Sequence, residues 1–451
     1  MKIKNINLYS ILLLVAGFQF VACDEQLDIQ PQQSIDESTA LSTAQNVRAA
    51  LIGAYDGLAD NDVWGGGQHL SELFADNGEQ IWAGTFEEPE QIFFKEILIQ
   101  NADVERFWTE GYETINRANN VLEGLSVLDP SEVDEIEGAA KFIRAAVYFD
   151  LVNLFGKTWI DGDPSANLSV PLVLTPTRGI DESSNVARNT VGEIYTQILA
   201  DLNDAKAKLP ETNNGLATTY AASALLSRVY LMQENFAEAL NEASRVIEMG
   251  GFELVANYAD AFNQSGNTSE DIFAIEVTAQ DGVNDFITFY SAQERGGRGD
   301  IDITETHLAE YEEGDARRDL FYTDDLGIPR TGKWVPNSSQ DGNINVIRLA
   351  EMYLTRAEAR LETGDAGGAA EDINVIRARA GLGPVDAGSL TKDAILAERK
   401  LELMFEGHLY RDSKRTRKQI GDFSFDSDAL VYPIPQRELD ANVNLAQNPG
   451  Y

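Results

Sequence analysis

The sequence predicts a mainly α-helical protein built as a scaffold of tetratricopeptide-like helical hairpins, with long loops and a few short strands. Three observations carry this. Apolar residues recur at i, i+3, i+4 and i+7 over most of the chain, the period of a helix with one buried face. Two segments, "ALLSRVYLMQENFAEALNEASRVIEMGG" (Ala224 to Gly251) and "MYLTRAEARLETGDAGGAAEDINVIRARAG" (Met352 to Gly381), share one plan: helix, short polar turn, then an Ala-rich helix closing on Gly. Small residues such as Ala237, Ala239, Ala243, Ala369 and Ala370 let paired helices approach closely, as stacked hairpins require.

The elements follow in order. Lys2 and Lys4 precede the apolar run "YSILLLVAGFQF" (Tyr9 to Phe20), which is too short for an ordinary membrane span and is followed by Ala22 and Cys23. Cys23 is the sole cysteine of 451 residues, so it closes no intramolecular disulfide and builds no multi-cysteine metal site. The pattern resembles a bacterial lipoprotein signal: residues 1–22 are removed and Cys23 receives the lipid. The acidic "CDEQLD" that follows resembles the surface-export signal of Bacteroidetes lipoproteins. Residues 23–42, which include "IQPQQSIDESTALS" (Ile29 to Ser42), are polar and without period, and read as a lipidated tether. The domain proper is expected to occupy 43–451.

Within it, Val47, Ala50, Leu51, Ala54, Tyr55 and Leu58 open the first helical stripe. Similar stripes run from Phe107 to Leu125, Ile136 to Phe155, Val191 to Leu209, Tyr220 to Met249, Ile347 to Ala380 and Ile395 to Tyr410. Between them, Trp64 to Gly67, Asp76 to Gln91, Gly156 to Gly179 and roughly Asn257 to Asn345 are rich in Gly, Asn, Asp and aromatics. They read as loops with short strands such as "DIFAIEV" (Asp271 to Val277). Long loops on a rigid scaffold are where binding residues tend to sit.

The charge balance of 35 basic against 74 acidic residues, a net charge of −39, repels nucleic acid and anionic lipid headgroups. No nucleophile elbow, zincin motif, phosphate loop or Ser/His/Asp order appears. His69, His307 and His408 have no metal-ligand spacing, so neither a metal nor another cofactor is expected. Arg411, Lys414, Arg415, Arg417 and Lys418, the one basic cluster, are expected to satisfy acidic neighbours. Arg298-Gly-Asp300 reads as a chance tripeptide in a Gly-rich loop.

Six further segments carry a family resemblance: "FIRAAVYFDLVNLFG" (Phe142 to Gly156), "IRLAEMYLTRAEAR" (Ile347 to Arg360), "INVIRARAGL" (Ile373 to Leu382), "ERKLELMFEGHLYRD" (Glu398 to Asp412), "YPIPQREL" (Tyr432 to Leu439) and "QNPGY" (Gln447 to Tyr451). In this order they resemble the SusD/RagB family of Bacteroidetes lipoproteins. Leu409 stands where that family commonly has Arg, which marks these motifs as structural. The resemblance implies a non-catalytic protein on the cell surface, lipid-anchored to the outer membrane, that binds glycans and covers a SusC-like TonB-dependent transporter.

Sugar rings have apolar faces and hydroxyl edges, so a glycan site needs flat aromatics beside amides, carboxylates or guanidinium groups. The loop candidates are Trp82 and Trp64, then Tyr290 and Trp334, with Asp76 and Asn77 for the hydroxyls. Trp64 and Trp82 can equally be rings packed as loop core, Trp334 more readily so, and Trp108 on its helical stripe is expected in the core. The acidic surface favours a neutral polysaccharide or oligosaccharide, a laminarin-type β-glucan or a starch-like α-glucan. Two alternatives stay open: a surface glycoside hydrolase, which needs only two placed carboxylates, and a structural transporter lid that binds no glycan.

Overall fold

The computed structural model describes residues 41–179, 182–278, 284–336 and 342–451. Cys23, the signal 1–22 and all but the last two residues of the 23–42 tether lie outside them. Among the described residues no helix is long and apolar enough to cross a membrane.

The scaffold is helical, as the period requires. α1 (Ala44–Leu58) starts where Thr43 accepts a hydrogen bond from Asn46 N–H at 3.2 Å. It packs on α4 (Ala102–Glu123), and α4 packs on α5 (Val133–Phe155). α5 is apolar nearly all round and runs through the core, with α6 (Val191–Lys208) against its other side. One guanidinium ties the three together. Arg144 holds Asp201 through two bonds of 2.8 Å and donates to Asn119 Oδ1 at 2.8 Å.

Both sequence hairpins are real and share a turn. α7 (Thr219–Met232) pairs with α8 (Phe236–Met249), and α11 (Leu349–Glu362) with α12 (Ala366–Arg379). Each turn places one left-handed residue, Glu234 (φ 55°) or Gly364 (φ 94°), just before a side-chain cap, Asn235 or Asp365. The hairpins stack through α8 on α11, and a buried bidentate pair, Arg228 with Glu351 at 2.7 Å, joins α7 to α11.

Among the described residues, three short antiparallel ribbons lie between the helical blocks: β1 (Gln80–Trp82) with β3 (Ile301–Ile303), β2 (Asp271–Ile275) with β6 (Ile344–Arg348), and β4 (Phe321–Thr323) with β5 (Pro329–Thr331). β2 is the strand expected within "DIFAIEV". Short helices interrupt the stretches read as loops: α2 (Gln68–Phe74) lies between two of them, α3 (Glu87–Phe94) starts inside one, and α9 (Asp285–Tyr290) lies wholly within another. α3 starts with Glu87, Glu88, Pro89 and Glu90, residues that favour a first turn by charge and by fixed φ. α10 (Glu305–Leu308) follows β3 directly.

The stripe from Ile395 to Tyr410 is not one helix. α13 (Lys392–Leu403) stops, the chain reverses through Phe405 (φ 67°) and Gly407 (φ 84°), and α14 (Leu409–Arg415) begins afresh. The break serves a buried ionic knot. Arg348 is held by Glu270 at 2.9 Å, Glu402 at 2.6 Å and Glu406 at 2.7 Å, while Lys333 donates to the Glu402 and Met404 carbonyls and to Glu406. Three of the five basic residues pair as expected, Arg411 with Asp150, Arg415 with Glu358 and Arg417 with Glu234, while Lys414 donates to the Phe425 and Leu430 carbonyls and Lys418 has no ion-pair partner among the described residues. α15 (Gln436–Ala441) precedes the C-terminal segment, where Asn448 bonds the Phe155 and Tyr432 carbonyls.

Candidate functional site

The turn that leads into β1 is made by its own side chains. Asp76 accepts from Gln80 N–H through Oδ1 at 2.9 Å and from Gly78 N–H through Oδ2 at 3.1 Å. Burial, with Glu79 beside it, pushes the Asp76 carboxyl up to about 6. Asn77 is exposed, and its Oδ1 accepts from Gly421 N–H at 3.1 Å, a link across 344 positions of sequence. These two residues therefore build a turn.

All four aromatic candidates lie inside the protein. Trp64 is 2% exposed, packs its ring on Phe142 and Phe273, and donates its indole N–H to Asp150 at 2.6 Å. Tyr290 is 0% exposed with its hydroxyl on Gln80, and Trp334 is 1% exposed with its N–H on the Phe405 carbonyl. Trp82 is 6% exposed, leans on Phe289 and is roofed by Gly84, where any Cβ would collide with the indole. None presents a free face in this structure, and the three tryptophans take the loop-core packing that the sequence left open beside a stacking role. The physical reason is the usual one: large aromatics offer the most apolar area to bury, and long loops use them as their own core.

The rings are nevertheless organised. α9 contributes Phe286, stacked 4.3 Å from Trp334, and Phe289, stacked 4.5 Å from His69. Trp82, Trp334 and Tyr290 thus belong to one aromatic cluster centred on α9, whereas Trp64 packs separately against α5 and β2. The indole N–H of Trp82 is buried and finds no acceptor among the described residues.

Phe86 is the ring of this cluster that reaches solvent. It is 44% exposed, stands edge-on to Phe289, and carries the Arg298 guanidinium 4.3 Å above its centroid. Asp300 accepts from Arg298 Nε at 2.6 Å and anchors that guanidinium. The Ala83 N–H donates to the Asp300 carbonyl at 2.8 Å and locks the Phe86 loop to the Arg298 loop. The same Gly-rich loop sends Arg295 over Tyr322, 3.6 Å from its centroid. Phe86 flanks Trp82 closely in sequence and Arg298-Gly-Asp300 stood out as a tripeptide. The available signal was that both border Gly-rich turns beside aromatic residues.

At the other end of α9 the surface is acidic. Burial, then Asp62 and Asp103, push the Asp285 carboxyl up to about 7, and burial raises Asp103 to about 6 despite Arg106. Arg106 bridges Asp62 and Asp103. Gly66 (φ 136°) lies so close to Asp285 that only glycine fits.

The chain as a whole is similar to known proteins. The family described as "Starch-binding associating with outer membrane" matches residues 25–231, and the SusD family matches residues 330–424. SusD-like protein P2 of Formosa agariphila is 26% identical, over 98% of this chain and 99% of its own. The starch-binding protein SusD of Bacteroides thetaiotaomicron is 34% identical over a shorter stretch, 29% of this chain and 27% of that one. Among solved structures, a SusD superfamily protein from Bacteroides thetaiotaomicron superposes with a TM-score of 0.81 at 26% identity, covering 90% of this chain and 100% of that one. Another, from Bacteroides vulgatus, gives 0.82 at 24% identity, covering 91% and 99%.

Proposed function

Because the chain belongs to the SusD/RagB family, we propose that it is a cell-surface lipoprotein of the outer membrane, anchored through a lipid on Cys23, that captures an oligo- or polysaccharide and delivers it to a SusC-like TonB-dependent transporter. The observation that carries glycan capture is the Phe86 platform. A half-exposed ring, with one face capped by a guanidinium that a carboxylate anchors, offers apolar surface beside fixed donors, the pairing a pyranose needs. The family description and the starch-binding relative support the same ligand class.

In this reading the buried rings of Trp82, Tyr290 and Trp334 are the stiff floor beneath Phe86, and Trp64 braces the preceding loop. The unsatisfied Trp82 N–H gives an arriving hydroxyl a partner if the Gly84 loop lifts. The net charge of −39 favours a neutral glucan, laminarin-type or starch-like, over sulfated or uronate polymers.

Affinity electrophoresis of the full chain through gels containing laminarin, soluble starch or alginate tests this. Retardation by a neutral glucan with no shortening of the polymer is the expected result. No retardation in any gel would overturn glycan capture, and shortened products would turn the reading toward a hydrolase. Co-purification with a large β-barrel protein from detergent-solubilised outer membranes tests the partner.

A further inference from the structure

A small cavity lies where α7, α13 and α14 meet. Its wall carries Arg228 of α7, Arg399 of α13 and Arg411, Asp412 and Arg415 of α14, with His408 just before α14. Four guanidinium groups thus face one space beside a single carboxylate, in a chain whose net charge is −39. Arg228, Arg399, Arg415 and His408 are each more than nine-tenths buried. The cavity measures about 10 Å³, room for one water or one monatomic guest. Arg399, His408 and Asp412 also line a groove of about 650 Å³ that reaches the exposed Lys418 and Gln419, so one layer of side chains separates the cavity from the surface.

The hydrogen bonds decide what the guest is. Carboxylates outside the cavity wall hold three of these arginines: Glu351 takes Arg228 through two bonds of 2.7 Å, Glu358 takes Arg415 at 2.6 and 2.8 Å, and Asp150 takes Arg411 at 2.9 Å. Asp412, in the wall, is already claimed by Arg399 and Arg415, each at 2.8 Å. Donors remain. Nη1 of Arg228 and Nε of Arg411 meet no acceptor among the described residues. Neither ring nitrogen of His408 makes a hydrogen bond among them, and its Nδ1 stands 3.9 Å from Glu351 Oε1, too far for one. Burial first, then Arg228, Arg399, Arg411 and Arg348, hold this imidazole well below its ordinary pKa, so it is neutral and keeps one N–H to give. A buried ring without a partner, among guanidinium groups with N–H groups to spare, is a position that a guest completes. Water needs acceptors for its own hydrogens. A monatomic anion needs only donors.

We propose that this cavity is a halide site that takes chloride on the uncommitted N–H groups of Arg228, Arg411 and His408. An ion bound there joins three helices, and it makes the stability of the fold depend on the halide rather than on ionic strength. Neither the site nor its test depends on glycan binding.

Thermal melts of the full chain in detergent test this at constant ionic strength, with sodium chloride exchanged stepwise for sodium methanesulfonate, whose anion is too large for the cavity. A saturable rise in melting temperature with chloride is expected, and bromide should reproduce it. Crystals soaked in bromide should show an anomalous density peak between Arg228, Arg411 and His408. His408→Leu removes the unpartnered ring, orphans no other side chain and keeps the backbone N–H that donates to Glu72 Oε1 at 2.7 Å. This variant should melt at or above the parent in methanesulfonate and need about tenfold more chloride for the same gain, the scale of one hydrogen bond to a charged group. A ring with only a packing role would shift the melt equally in both salts. Equal melting of the parent in the two salts, an undiminished chloride response in His408→Leu, or bromide peaks confined to the surface would overturn the proposal. The bromide peak is read on the parent, so it decides the matter even if the variant fails to fold.

Discussion

Phe86→Ala and Trp82→Ala separate a ligand platform from the floor beneath it. Phe86 is 44% exposed, so truncation forfeits roughly half of a fully buried ring, about 1 kcal/mol, plus about 0.5–1 kcal/mol from the Arg298 stack. Arg298 keeps Asp300 and stays in place. The stability loss should be about 2 kcal/mol at most, while removal of an anchoring ring costs binding about 2 kcal/mol, or ~30-fold in affinity. Trp82, at 6% exposure under Gly84 and against Phe289, has the opposite signature: a cavity in packed core, about 3–5 kcal/mol of stability. Calorimetric titration with the retarding glucan, run beside urea unfolding followed by tryptophan fluorescence, reads both quantities. Unchanged affinity in Phe86→Ala refutes the platform. A Trp82→Ala protein that unfolds like the parent yet binds at least tenfold more weakly would return the platform to Trp82.

Three other perturbations test the physics of the scaffold and its anchor. Arg348→Met strips a shared guanidinium from the buried carboxylates of Glu270, Glu402 and Glu406 and should destabilise by about 3–5 kcal/mol in urea titration; a loss below about 1 kcal/mol would mean the knot is solvated. Asp285, raised to about 7 from an unfolded value near 4, and Asp103, raised to about 6, stabilise the fold fully only below pH ~4, and that stability is lost as pH rises through 6 and 7. Asp285→Asn should accordingly gain melting temperature over the parent at pH 8 and lose that advantage by pH 5; a constant difference across this range would refute the shift. Cys23→Ala should fold normally and take up no labelled fatty acid, and continued labelling would refute the anchor.

How far the sequence could be read depended on whether the deciding force is local. The hairpins α7–α8 and α11–α12 were legible because a 3.6-residue period and a closing Gly are local signals, and the shared left-handed residue at 234 and 364 is the structural form of that likeness. The end of α13 was not legible. Phe405 takes a positive φ without any residue type that announces it, because Glu402 and Glu406 must both reach Arg348, a strand residue more than fifty positions away. Charges in that motif look like a solvated helix face until the fold supplies their partners.

The same distinction governs the site. Tryptophan in a Gly-rich loop reads as an open platform only if nothing else in the chain claims its face. Here α9, hidden within a stretch without period, supplies Phe286 and Phe289 and claims the faces of Trp334 and Trp82. Burial of those rings still favours recognition. A ring such as Phe86 can hold a fixed attitude toward a ligand only if the layer below it does not yield, and Phe289, wedged between His69, Trp82 and Phe86, is that layer. A platform so braced loses little side-chain entropy when a ligand settles on it, so more of the stacking energy remains as affinity. Trp82 and Trp334 thus lie one layer below the surface of this cluster, and the ring that meets solvent is Phe86, four positions after Trp82 in the chain.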